Sequence, residues 1–134
     1  VYGPYNFSVE GEDSKIVIWN NNTLAYGRAG FDTNWLRQEF QSAGDRKLIL
    51  VHHVNPGNAD YFTEDQNEEY SGLIEEFEVD LVLPGHNHKF STSTLHNATV
   101  HMTSRTEGEK YTIVTIEQDQ ILFEECSGGQ CVAR

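Results

Sequence analysis

Two short apolar runs in this chain each end in histidine. Leu48-Ile49-Leu50-Val51 leads into His52-His53, and Leu81-Val82-Leu83 breaks at Pro84-Gly85 to leave His86-Asn87-His88 on the loop that follows. Neutral imidazole is a common ligand for zinc, iron, manganese or copper, whereas magnesium and calcium prefer oxygen. Two histidines one residue apart point into one pocket when the backbone between them is extended. A His-x-His pair alone reads equally well as two polar loop residues. The repeat of the design makes it more specific, because ligands in open α/β sheets collect at the C-terminal ends of the strands. Neighbouring parallel strands would therefore bring both histidine sets to one edge, and the chemistry expected there is metal binding.

The elements around these runs fit that arrangement. Between them lies one helical pattern, capped by Thr63 and carrying Tyr70, Leu73, Ile74 and Phe77 on one stripe, which makes the whole a βαβ unit with parallel strands. Upstream, Tyr5, Phe7 and Val9 alternate with polar residues as in a half-buried strand, and Gly11-Glu12-Asp13 reads as a hairpin turn. Residues 15–20 form the returning strand, apolar enough through Ile16, Val17, Ile18 and Trp19 for burial on both faces. Residues 23–30 read as an irregular loop. Asp32 or Thr33 caps a helix whose Trp35, Leu36, Phe40 and Ala43 share a core-facing side, and Gly44 stops it. Residues 54–62 have no periodicity and adjoin the histidine edge, so Tyr61 and Phe62 serve either as substrate contacts or as core cover. After His88 the pattern becomes strand upon strand, over 90–95, 99–104, 110–117 and 120–125, an antiparallel meander that would form one sheet. His96 and His101 lie within it, in solvated or packed roles.

Net charge is −12, from 21 acidic and 9 basic residues. Such a surface repels nucleic-acid phosphates and anionic membranes, and it tolerates a phosphate ester only where bound metal reverses the local field. Glu64, Asp65, Glu68, Glu69, Glu75, Glu76 and Glu78 are most simply the solvated face of one helix. No apolar stretch approaches the roughly 20 residues that a bilayer span requires. Cys126 and Cys131 flank Ser127-Gly128-Gly129, a spacing that allows a local disulfide, and Asn6, Asn21 and Asn97 each open an Asn-x-Ser/Thr sequon. Together these predict a secreted or otherwise extracytoplasmic glycoprotein.

The histidine runs, with Val79-Asp80 before the second and Pro56 after the first, resemble the C-terminal half of the calcineurin-like metallophosphoesterases, in particular their purple-acid-phosphatase-like branch. Residues 2–8, 15–20 and 32–36 are similar to family segments in the same order. The resemblance implies an α/β sandwich of two stacked mixed sheets flanked by helices, with residues 1–134 as the C-terminal part of a single domain. It implies metal-dependent hydrolysis of a phosphate ester, either a small molecule or a phosphorylated substrate, at a dinuclear centre of two divalent or trivalent transition-metal ions (iron, zinc or manganese). Residue by residue it makes His52, His86 and His88 metal ligands, His52 being chosen over His53 because the family's ligand directly follows the strand. His53 then becomes a second-layer or substrate-facing residue; Asn87, and Tyr61 from its loop position, are further candidates for those roles.

The family's Asp-x-His, Gly-Asp-x-x-Asp and Gly-Asn-His-Glu motifs are absent from this sequence. The resemblance therefore implies that an N-terminal half supplies the bridging carboxylate and the acid–base histidine, and that this piece alone has little activity. Two competing readings are a secreted, non-catalytic β-rich binding module and a structural mononuclear zinc site, the latter needing a fourth ligand such as His53 or Asp60.

Overall fold

The computed structural model describes residues 6–21, 31–56, 61–107, 109–117 and 120–134. Its main sheet contains six strands: β1 (Phe7–Glu10), β2 (Ser14–Ile18), β3 (Lys47–Val51), β4 (Leu81–Leu83), β5 (Ser91–Leu95) and β6 (Ala98–Met102), in the order β1-β2-β3-β4-β6-β5. The pairs β2–β3, β3–β4 and β4–β6 are parallel, and both edge pairs are antiparallel. A second, three-stranded antiparallel sheet contains β7 (Tyr111–Ile116), β8 (Ile121–Ser127) and β9 (Gln130–Ala133).

Among the described residues two helices cover one face of the main sheet, α1 (Thr33–Gln41) and α2 (Glu64–Glu76). Asp32 caps α1 by accepting from the Trp35 amide, and Gly44 just beyond it takes a left-handed φ of 62°. Thr63 and Gln66 form a reciprocal capping box on α2, with Glu64 and Asp65 in the positive first turn. The seven acidic residues expected on its solvated face are all exposed.

Side-chain parity decides which layer each strand residue joins. Val17, Trp19, Leu48, Leu50 and Val82 pack under the helices with Leu36, Phe40, Tyr70, Leu73 and Ile74. The alternate residues Ile16, Ile49, Val51, Leu81 and Leu83 meet Val114, Ile116, Ile121 and Phe123 of the second sheet. The result is three layers: helices, mixed sheet, antiparallel sheet. This is the expected α/β sandwich, with the second sheet antiparallel rather than mixed.

The expected single meander is divided in two. Its first hairpin joins the main sheet, because Leu81 and Val82 pair in parallel with Thr99 and Val100. Only the later strands form the second sheet, to which β9 adds a strand not expected from sequence. The Cys126–Cys131 disulfide does form, across the β8–β9 hairpin. Phe7 and Val9 are 43% and 53% exposed rather than half-buried, because β1 is an edge strand. The expected loop at 23–30 lies outside the described residues, and of the loop at 54–62, so do residues 57–60.

Lys15 and His101 are among the polar residues buried in the fold. Lys15, 1% exposed, has the carboxylates of Glu39 (2.7 Å) and Glu10 (3.3 Å) as partners. Both carboxyls are held below the usual carboxylate range, first of all by hydrogen bonds from Arg46 to Glu10 and from Lys15 to Glu39. His101 on β6 stacks on Phe123, with ring nitrogens 3.0 Å from the Thr92 hydroxyl and 3.1 Å from that of Thr112 on β7, so it links the two sheets. Burial lowers its pKa, Arg134 adds to that, and Glu125 opposes it.

This layering predicts a ranking of core truncations. Leu50→Ala, at a fully buried position under the helices, should cost about 2–5 kcal/mol in urea unfolding. Ile113→Ala, at a position 41% exposed on the second sheet, should cost less than about 1 kcal/mol. The reverse ranking would contradict the layer assignment.

Candidate functional site

Beyond the last residues of β3 and β4, the two chains stay in register. The His52 amide donates to the Leu83 carbonyl (3.3 Å), and the Gly85 amide donates to the His53 carbonyl (2.9 Å). A Cβ on Gly85 would sit 3.2 Å from His53 Nδ1, so glycine lets the two loops approach this closely. The expected βαβ unit thus brings both histidine sets to one edge.

His53 and His86 face each other there. His53 Nε2 lies 3.4 Å from His86 Nδ1, with perpendicular rings whose centroids are 5.3 Å apart. Tyr61 adds a third ring, edge-on to His86 at 5.0 Å. Burial lowers the His53 pKa, and repulsion from His86 and His88 lowers it further, so the ring is biased to the neutral form that binds metal. His86 (φ 74°) and His88 (φ 56°) both take left-handed backbone conformations rather than the extended one expected between them. Non-glycine residues in that region cost about 1–3 kcal/mol each, and such strain concentrates at functional sites. Asn87 and His88 are exposed at the tip of this loop.

The structure separates the two adjacent histidines. His52, expected as the ligand, turns inward: it is 6% exposed, and its Nε2 lies 2.9 Å from the Tyr70 hydroxyl. Strand parity accounts for this, since His52 continues the helix-facing series Leu48, Leu50, whereas His53 continues Ile49, Val51. Burial pushes the His52 pKa down to about 3, the Val54 backbone opposing and His53 adding to the fall. Burial also raises the Tyr70 phenol, which stays protonated. Among the described residues the buried His52 Nδ1 has no hydrogen-bond partner.

Asn21, an expected glycan acceptor, is buried beside the site. It is 2% exposed, and its Nδ2, the atom a glycan would occupy, donates to the Val54 carbonyl. Its Oδ1 accepts from the amides of His53 (3.2 Å) and Val54 (3.0 Å), so Asn21 clamps the loop that presents His53. Asn6 Oδ1 accepts from the Asn20 amide, and Asn97 is exposed in the β5–β6 turn. Phe62 is buried as core cover, whereas Tyr61 flanks the site. No periodicity in the sequence marked Asn21, but a side-chain amide just past a strand end is a common backbone clamp.

The donor set can be tested against a metal. Two nitrogens each about 2.0–2.1 Å from one tetrahedral ion lie about 3.4 Å apart. His53 Nε2 and His86 Nδ1 have that separation. They fit as two ligands, but among the described residues no group of three or more His, Cys, Asp or Glu side chains is gathered around one point. The expected fourth-ligand candidate Asp60 lies outside the described residues.

No family model matches the chain, and no curated protein matches it by sequence. Solved structures show the fold. The purple acid phosphatase PPD1 from yellow lupin (Lupinus luteus) seeds superposes with a TM-score of 0.69 at 13% identity, over 96% of this chain and 31% of that one. GAP50, described as the anchor in the inner membrane complex of Plasmodium, gives 0.66 at 12% identity, over 96% of this chain and 51% of its own. The chain thus has a purple-acid-phosphatase-like α/β fold and spans about a third to a half of the length of these proteins. Among the described residues no helix is long and apolar enough to cross a membrane.

The buried His52 predicts acid lability. Its folded pKa of about 3 lies below the 6.5 of a free histidine, so the unfolded chain takes up the proton first. Its contribution to stability is intact above pH 6.5 and is lost progressively as the pH falls from there towards 3. Urea midpoints measured between pH 7.5 and 4.5 should fall with acidification, and His52→Asn should flatten that dependence. An unchanged slope in the variant would place the acid sensitivity elsewhere.

Proposed function

We propose that this chain is the histidine-bearing, C-terminal part of a metal-dependent phosphoesterase. The observation that carries the reading is the pair His53 Nε2–His86 Nδ1, held 3.4 Å apart at the C-terminal ends of two parallel strands. In this reading His53 and His86 would hold one ion, and His88, exposed on the same loop, would serve a second. His52 is a buried support rather than a ligand. A metal bound here lowers the pKa of a coordinated water and neutralises phosphoryl charge. In a chain of net charge −12, that positive charge is what allows an anionic ester to approach. Tyr61, beside His86, and Asn87, at the loop tip, are placed to contact the ester.

Two histidines and a neighbour do not make a dinuclear centre. The bridging carboxylate and the acid–base group belong in this reading to further polypeptide, consistent with the partial coverage of both structural neighbours. The disulfide and the exposed Asn97 sequon support an extracytoplasmic location. A second reading, a non-catalytic interaction module, draws on the description of GAP50 as an anchor.

Cobalt titration followed by visible absorbance separates these readings. His53→Ala and His86→Ala should each weaken Co²⁺ binding at least about tenfold, while Tyr70→Phe, which touches only the His52 side, should leave it unchanged. Absence of binding to the wild-type chain would favour the interaction module. On an aryl phosphate with manganese or zinc, the chain alone should show turnover near background; robust turnover that depends on His86 would contradict the assignment of the missing groups to further polypeptide.

A further inference from the structure

A third strand ends at the histidine edge. Because β6 runs parallel to β4, its C-terminal end lies beside the ends of β3 and β4. Ser104 stands two residues past the end of β6, as His53 does past β3 and Gly85 past β4. From there its hydroxyl donates to the His88 carbonyl at 3.1 Å. Ser104 also lines a cavity of about 410 Å³ that runs beneath Pro84 and Gly85, between Leu83 of the main sheet and Val114 of the second. The β6–β7 segment is thereby fastened to the loop that presents His86 and His88.

That loop needs fastening. Both of its histidines take left-handed φ values, a conformation a non-glycine residue keeps only when its surroundings enforce it. A residue that flips out of the left-handed region swings its carbonyl and side chain together, so a bond to the His88 carbonyl also fixes where the imidazoles point. Gly85, hydrogen-bonded to His53, anchors the loop at its start, and Ser104 anchors it at its end.

We propose that Ser104 is a positioning residue: its hydroxyl holds the left-handed backbone of His88 and thereby keeps the loop in the form that sets His86 against His53. The inference rests on the reading of these histidines as a metal edge, but its first readout does not require metal. Ser104 is only partly buried, so its substitution tests the tie without emptying the core.

The test compares Ser104→Ala and Ser104→Thr with the wild-type chain. In metal-free protein, the backbone ¹³C shifts of His88 should leave their left-handed values in Ser104→Ala and keep them in Ser104→Thr. The apparent Co²⁺ dissociation constant should rise about tenfold in the alanine variant and return to within about threefold of wild type in the threonine variant. The thermal midpoint should move by no more than about 2–4 °C in either, as for a surface change. Unchanged His88 shifts in Ser104→Ala would overturn the proposal, as would shifts that move with no loss of cobalt affinity, or a threonine variant as impaired as the alanine one. If the wild-type chain binds no cobalt yet Ser104→Ala still moves the His88 shifts, the metal reading fails while the backbone role of Ser104 stands.

Discussion

The parallel pairing of β3 with β4 is the constraint on which the rest of this structure depends. The three paired residues would by themselves fix only a strand register. Two further backbone bonds, His52 to Leu83 and Gly85 to His53, carry the ladder past the strands into the loops. They set His53 against His86 and bring the His53 ring to 3.2 Å from where a Cβ at position 85 would stand. Parallel pairing requires a crossover, and α2 supplies it, burying Tyr70, Leu73 and Ile74 against the same strands that deliver the histidines. Fold and site are thus stabilised by the same contacts.

Three polar residues hold this edge from behind, each with a different task. Tyr70 occupies the inward histidine, which would otherwise be a buried ring with both nitrogens unpaired. Asn21 reaches from the end of β2 to three backbone groups of the His53–Val54 turn, bracing the outward histidine from the neighbouring strand. His101 sits farther down, bridging the main and second sheets through threonine hydroxyls. The ion pairs of Lys15 belong to the opposite end of the sheet and bear on stability alone.

Much of the fold was legible because periodicity is a direct consequence of burial. The stripe on α2, the caps Asp32 and Thr63, and the turn at Gly11 are local signals, and the structure reproduces them. Which strands share a sheet was not legible, since residues 91–102 alternate as any hairpin does and their membership depends on long-range pairing with β4. That His52 faces the helices and His53 the opposite side depends on long-range packing in the same way. Adjacent strand residues face opposite layers, and the fold alone sets the partner on each side: Tyr70, on the apolar stripe of α2, turns its hydroxyl to His52. The role of Asn21 was hidden behind its sequon, a pattern that describes a surface asparagine and says nothing of one that is buried.

In the proposed site His53 and His86, rather than His52, form the metal-binding pair. Imidazole ¹⁵N resonances recorded during a zinc titration of the intact chain test it most directly, because they report on each ring nitrogen separately. His53 Nε2 and His86 Nδ1 should move to metal-bound shifts together, while both nitrogens of His52 stay where they were. Zinc-dependent shifts at His52 with His53 unmoved would contradict it and return the ligand role to the inward histidine.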